Sequence, residues 1–221
     1  MALSIGNLKD DSFSQQQYFP TMIFSSICRD ADRLNSYLKD LIFAERSKDR
    51  KGIVRSNFAG LGGWHSHNNL HNEAAYAPLV DRINQAGQRI TNDLGYAENS
   101  QLSIGTMWAI TNPPGSANKA HIHPNSHWSG VYYVQAPSKC GDIEFTDPRT
   151  MHIMQQPKFR VGKKRSRENW TKVQFTPTAG KMLIFPSWLY HGVNPNLTNE
   201  KGDAADRIIF SFNLSQKFQN S

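Results

Sequence analysis

Cysteine is nearly missing from this chain of 221 residues, which contains only Cys28 and Cys140. Two thiols cannot build a disulfide framework, and without a Cys-x-x-Cys pair the cysteine-rich structural zinc sites are excluded too. Their scarcity points to a reducing, cytoplasmic setting. No run of about 18 apolar residues occurs, so no transmembrane helix is expected. Residues 1–11 lack the charged start and apolar stretch of a secretory signal. There is no phosphate-binding P-loop, no Gly-x-Gly-x-x-Gly after a strand and no Ser-His-Asp order, which removes the commonest nucleotide-binding and acyl-transfer chemistries.

Acid is the scarcer charge, 18 residues against 25 Lys and Arg, for a net +7. Such an excess can attract nucleic acid or an anionic surface. Much of it, however, lies between Lys158 and Arg167, a stretch with six cations and no acid. This stretch reads as a solvated, mobile loop, with docking of an anionic partner near a site mouth as the alternative. No zinc knuckle, helix-turn-helix or RNA-binding aromatic motif accompanies it, so nucleic acid is not indicated beyond the loop at 158–167.

Hydrophobic residues make up 38% of the chain and aromatics 11%, enough for a sizeable core. The length suits a single domain over 1–221, with an α+β support at 1–99 and a β core at 100–215. Tyr18–Phe24 reads as a strand, Asp30 to about Ala44 as a helix with Leu34, Leu38, Leu41 and Ile42 on one face, and Ser47–Gly63 as loop with a short strand near Ile53. A second helix is predicted from Glu73 to about Leu94, stopped by Gly95. Beyond residue 100 the pattern becomes short strands at Leu102–Ile110, Ser129–Gln135, Asp142–Thr146, Thr171–Thr176, Lys181–Phe185 and Arg207–Leu214. Turn residues such as Asn112, Pro113, Pro114 and Gly115 separate them. A sandwich or barrel follows, with the helices packed outside it.

His121 and His123 stand two residues apart in a strand-like context, where alternation puts both imidazoles on one face. His191 closes a second strand-like run. Three neutral imidazoles can hold Fe(II), Zn(II), Mn(II) or Cu(II), and a three-ligand face leaves coordination positions open, the arrangement of a catalytic site. Arg207 opens an alternating strand with Ile209 and Ser211 on its own face. An inward arginine is costly unless a carboxylate meets it, and the guanidinium fork suits a planar carboxylate. Ser211 and Tyr133 offer further hydroxyls. A metal at one end and Arg207 at the other match the shape of 2-oxoglutarate.

Taken together, Trp108, Gly115, Asn118, His121 through Ser126, Ser129 through Val134, Asp147 through Arg149, Gly180 through His191 and Arg207 through Asn213 resemble the non-haem iron, 2-oxoglutarate-dependent oxygenases, nearest to small bacterial and phage members. The resemblance covers about half the chain. It implies a mainly β double-stranded β-helix, a cupin-like jelly roll with flanking helices and a metal in its mouth. It implies Fe(II) as cofactor, 2-oxoglutarate as co-substrate, and a dioxygenase that hydroxylates a prime substrate it does not name. It further implies His121, His123 and His191 as metal ligands, and Arg207, with Ser211 and Tyr133, as the co-substrate anchor. One departure stands out: most members carry Asp or Glu where this chain has His123. A shifted register, with His123 first and Asn125 in the acid position, is the alternative ligand set.

A cupin-type metal-dependent dioxygenase or isomerase without 2-oxoglutarate is the rival reading, since Gly115, His121, His123, His127, Gly180, Pro186 and His191 echo cupin motifs. Arg207 with Ser211 separates the two, because a cupin needs no inward arginine. His65, His67 and His71 lie among Gly, Asn and Ser and read as a loop set rather than a second metal site, though the loop can border the site mouth. His127 reads as an ordinary strand residue and His152 as surface or core. Asp147 and Arg149 read as a turn with an internal ion pair.

Overall fold

Trp128–Gln135 (β5) is buried at seven successive positions, a pattern that only a strand covered on both faces can show. Its even-numbered side chains, Trp128, Tyr132 and Val134, belong to one apolar cluster, and Val131 and Tyr133 to another. The same division runs through Lys181–Pro186 (β8), where Met182 and Ile184 face one way and Leu183 and Phe185 the other. In the computed structural model, which describes residues 14–218, this strand pair lies inside a six-stranded sheet that has helices on its outer face and a second sheet on its inner one.

The large sheet comprises Phe24–Ile27 (β1), β8, β5, Arg207–Phe218 (β10), Ser100–Asn112 (β3) and Trp64–His65 (β2), in that order. The small sheet orders Asn118–His121 (β4), His191–Val193 (β9), Ile143–Thr146 (β6) and Lys172–Phe175 (β7). Every pairing between these strands is antiparallel. Together the two sheets form the expected double-stranded β-helix. Both edge strands of the large sheet, β1 and β2, come from the region before residue 99.

Ala31–Lys48 (α1) and Ala77–Asp93 (α3) cover the outer face. Leu34, Leu38 and Ile42 of α1, and Leu79, Ile83 and Ile90 of α3, join the same cluster as Phe210, Phe212 and Leu214 of β10. Gly95 has φ +64 just beyond α3, the left-handed conformation that ends a helix at little cost to glycine.

Several expectations are corrected. No strand forms at 18–23: Phe19 takes φ 59, Pro20 lacks an amide donor, and pairing begins at Phe24 against Ile184. The short strand expected near Ile53 is instead a helical turn, Lys51–Arg55 (α2). It sits where Gly52 meets the Trp64 indole so closely that a Cβ would lie 2.0 Å from Nε1. Residues 70–76 form two short 3-10 turns, so α3 starts later than Glu73, with Pro78 in its first turn, where a missing amide costs least. Helix α1 runs to Lys48, four residues beyond Ala44. Residues 1–11, in which no signal sequence was read, lie outside the described residues. No helix among the described residues is long and apolar enough to cross a membrane.

Candidate metal and co-substrate site

Strands β4 and β9 pair so that His121 stands directly opposite His191, a cross-strand position that brings two side chains together on one face. Their ring centroids lie 4.5 Å apart. His123 is not part of the strand: β4 ends at His121, and His123 lies two residues farther along. Its backbone N–H donates to Ser187 O at 2.9 Å, which fixes the connection where the i, i+2 relation persists. The three imidazoles place one nitrogen each within 4.8 Å of one another, with His191 buried and His121 the most accessible.

Each ring uses Nδ1 elsewhere. Nδ1–H of His121 donates to Lys119 O at 2.8 Å, that of His191 to Leu189 O at 2.8 Å, and that of His123 to Asn213 Oδ1 at 2.9 Å. This selects the tautomer whose Nε2 carries a free lone pair, the usual outer-shell arrangement of a metal-binding histidine. The Nε2 atoms of His121 and His123 then face each other at 3.1 Å. Two lone pairs at that distance repel unless a cation lies between them. Burial, reinforced by the neighbouring imidazoles, pushes His191 down to about 4, and burial with His121 lowers His123, so both stay neutral and able to ligate. The donor set therefore fits a divalent metal.

The histidines open onto a cavity of about 210 Å³ that also holds Arg207, Ser211, Tyr133, Trp108, Asn118 and His65. Alternation along β10 brings Arg207, Ile209 and Ser211 to it together, while Ile208, Phe210 and Phe212 enter the helix-facing core. Arg207 is 1% exposed; its Nη1 donates to the Cys140 carbonyl, and its buried Nη2 has no partner. Burial lowers the guanidinium below its ordinary value. An orphaned guanidinium nitrogen lining a cavity is what a carboxylate would satisfy. Asn125 is exposed in a turn at φ 66 and does not line the cavity.

Other expected residues fall elsewhere. His127 is exposed, and its Nδ1 accepts from the Gln216 amide at 3.3 Å. His65 lines the cavity and stacks on Trp108, which stacks in turn on His123, each pair at 6.0 Å; His67 and His71 do not line it. Asp147 and Arg149 do form a turn ion pair at 2.9 Å, and His152 joins it. Residues 158–166 contain no helix or strand, and none of 158–167 lines the histidine cavity; Arg167 borders a separate cavity of about 560 Å³ instead. The basic stretch thus does not line the histidine cavity. Asn213 was not read as a functional residue, although strand alternation already put it on the face of Arg207.

Residues 106–213 match the family described as "Putative 2OG-Fe(II) oxygenase". No curated protein matches the chain. Among solved structures, the epimerase SnoN in complex with Fe3+, alpha ketoglutarate and nogalamycin RO is 13% identical, with a TM-score of 0.59 over 90% of this chain and 82% of that one. A Pseudomonas putida prolyl-4-hydroxylase is 13% identical, with a TM-score of 0.57 over 88% and 92%. The chain spans only 57% of an oxidoreductase of the 2OG-Fe(II) oxygenase family from Burkholderia pseudomallei, at 13% identity and a TM-score of 0.46 over 65% of this chain. The likenesses to SnoN and to the prolyl-4-hydroxylase show a shared double-stranded β-helix. The family match lies on the segment that carries the three histidines and the buried arginine, so that segment is similar to the 2OG-Fe(II) oxygenases.

Proposed function

We propose that the chain is an Fe(II)- and 2-oxoglutarate-dependent oxygenase in which His121, His123 and His191 hold the metal and Arg207 anchors the distal carboxylate of 2-oxoglutarate. The observation that carries this reading is the pairing, in one cavity, of converging imidazole lone pairs with an unpartnered buried guanidinium nitrogen. Ser211 and Tyr133 line the same cavity and supply hydroxyls beside Arg207. Burial keeps the Tyr133 phenol protonated and so a donor. Bound iron would supply the oxidative decarboxylation of 2-oxoglutarate by O2, giving succinate and CO2 and oxidising a C–H bond of the prime substrate.

The chain's own contribution is orientation and exclusion of water. Three neutral imidazoles leave the metal one positive charge richer than a set containing Asp or Glu, which favours a dianionic co-substrate. The cavity, at about 210 Å³, falls below the roughly 300–1,000 Å³ of sites that enclose a drug-sized ligand. It suits a small dicarboxylate, so the prime substrate must approach from outside, past His121 and the Ser56–Phe58 turn that also borders the opening. An organisation as one domain over 1–221 in a reducing cytoplasm completes the reading; both cysteines are free and buried.

Anaerobic titration with Fe(II) and then 2-oxoglutarate tests the proposal. A visible metal-to-ligand charge-transfer band should grow to one equivalent of 2-oxoglutarate. Its absence in the iron-loaded protein would favour the cupin reading, which has no use for the buried guanidinium.

A further inference from the structure

A second group of metal-binding side chains lies on the helical side of the molecule. Glu45 comes from the last turns of α1, His67 from the loop after β2, and Glu73 from the segment entering the turn Ala74–Tyr76. His67 Nε2 lies 2.9 Å from Glu73 Oε1 and 3.4 Å from Glu45 Oε1, and the three donor atoms lie within 4.8 Å of one another. Atoms held about 2.0–2.2 Å from one shared ion stand roughly 2.8–3.6 Å apart at octahedral to tetrahedral angles. The two measured separations match those limits.

The surroundings prepare all three groups as ligands. His67 Nδ1 pairs with Asn69 Oδ1, which turns Nε2 toward the carboxylates. Asn69 is itself tied to β3 by a bridge to Met107. The buried Tyr76 hydroxyl donates to the other Glu45 oxygen at 2.7 Å, and burial together with Glu45 holds that phenol protonated. Tyr37 donates to Ala75 O at 2.9 Å and fixes the Ala74–Tyr76 turn against α1. Among the described residues, neither Glu45 nor Glu73 has a lysine or arginine at salt-bridge distance. A single N–H on Nε2 can point at one carboxylate oxygen, not at both. A divalent ion satisfies all three donors and balances two carboxylates.

We propose that Glu45, His67 and Glu73 form a second divalent-cation site, one nitrogen and two oxygens with water completing the shell, suited to Zn(II) or Mn(II). It is separate from the histidine cavity and serves as a clamp: one ion joins α1, the loop following His65 and the approach to α3. Because His65 borders the oxygenase cavity, the clamp also steadies one wall of that opening.

Zn(II) is the probe. Chelator-stripped full-length protein is dialysed against Zn(II) and bound metal is counted per chain. Wild type should hold two ions, Glu73→Gln one, and the double variant His121→Ala/His191→Ala one. Glu73 is exposed, so its replacement leaves the fold intact. In the double variant, added Zn(II) should raise the melting temperature, and adding Glu73→Gln should abolish that rise. Equal zinc in Glu73→Gln and wild type, or no zinc in the double variant, would overturn the proposal and leave the cluster as a hydrogen-bonded ion triad only. Two ions retained in the double variant would instead count against the histidine site.

Discussion

His123 Nδ1 and Asn213 Oδ1 meet at 2.9 Å across 90 residues of sequence, and Asn213 is held there from both ends of its amide. Its Oδ1 also accepts from Ser129 Oγ at 2.7 Å, while its Nδ2 donates to Thr106 Oγ1 at 2.9 Å. In this orientation the amide presents Oδ1 to His123 Nδ1–H, so the tautomer of His123 is tied to β10. Asn213→Ala should weaken Fe(II) binding at the histidine site about 10–100-fold, as loss of an outer-shell partner does. It should also destabilise the fold by about 1–3 kcal/mol through the stranded hydroxyls. The iron dependence of the charge-transfer band and urea unfolding separate the two effects. Unchanged iron affinity would show that Asn213 does not orient the ring.

Arg207→Lys should weaken 2-oxoglutarate binding by on the order of 2–5 kcal/mol, since an ammonium cannot reproduce the fork and a buried charge pair is being truncated. Metal binding should be spared. Titration of 2-oxoglutarate into the iron-loaded variant decides; an unchanged dissociation constant would remove Arg207 as the anchor.

Removing a ligand should be more severe. His121→Ala and His191→Ala should each abolish the charge-transfer band in a protein that still folds, whereas Asn125→Ala should leave it intact. Retention of the band in His121→Ala together with its loss in Asn125→Ala would require the shifted register, and retention in both histidine variants would overturn the ligand assignment.

Asp147 gives a pH-dependent test. Burial raises its carboxyl, but Arg149 and His152 outweigh that and bring it down to about 2. Against an unfolded value near ~3.9, a lowered folded value means stability present above that pH and lost as pH falls toward about 2. Arg149 is 60% exposed, so the contribution is discounted to on the order of 1 kcal/mol. Asp147→Asn should be less stable than wild type at pH 7, with the gap closing between pH 4 and 2. A gap that persists at pH 2 would mean the loss comes from packing instead.

Much of this site was legible because strand alternation is local. Parity put Arg207, Ile209 and Ser211 on one face, and the i, i+2 spacing of His121 and His123 survives past the end of β4 through the backbone bond of His123 to Ser187. What could not be read was non-local. The opposition of His121 and His191 depends on the register of β4 with β9, which no pattern within either segment encodes. Asn213 gains its meaning from a partner 90 residues away. Near Ile53 the expected strand is a helical turn in which Gly52 fits closely against Trp64, a contact the segment's own residues do not announce. Burial of β5 on both faces erased the alternation that would have announced which side chains look inward.

Strand β10 is hydrogen-bonded along both edges, to β3 and to β5, with an irregularity after Ile208 on one side and after Asn213 on the other. Arg207 and Asn213 stand on this one strand with the same parity. A slip of one residue would turn both away from the cavity at once, and two offset irregularities make such a slip costly. On the proposed roles, co-substrate anchoring and metal orientation would be inherited as a single unit: a misfolded chain would forfeit both, and a correctly paired one would acquire both in the same step.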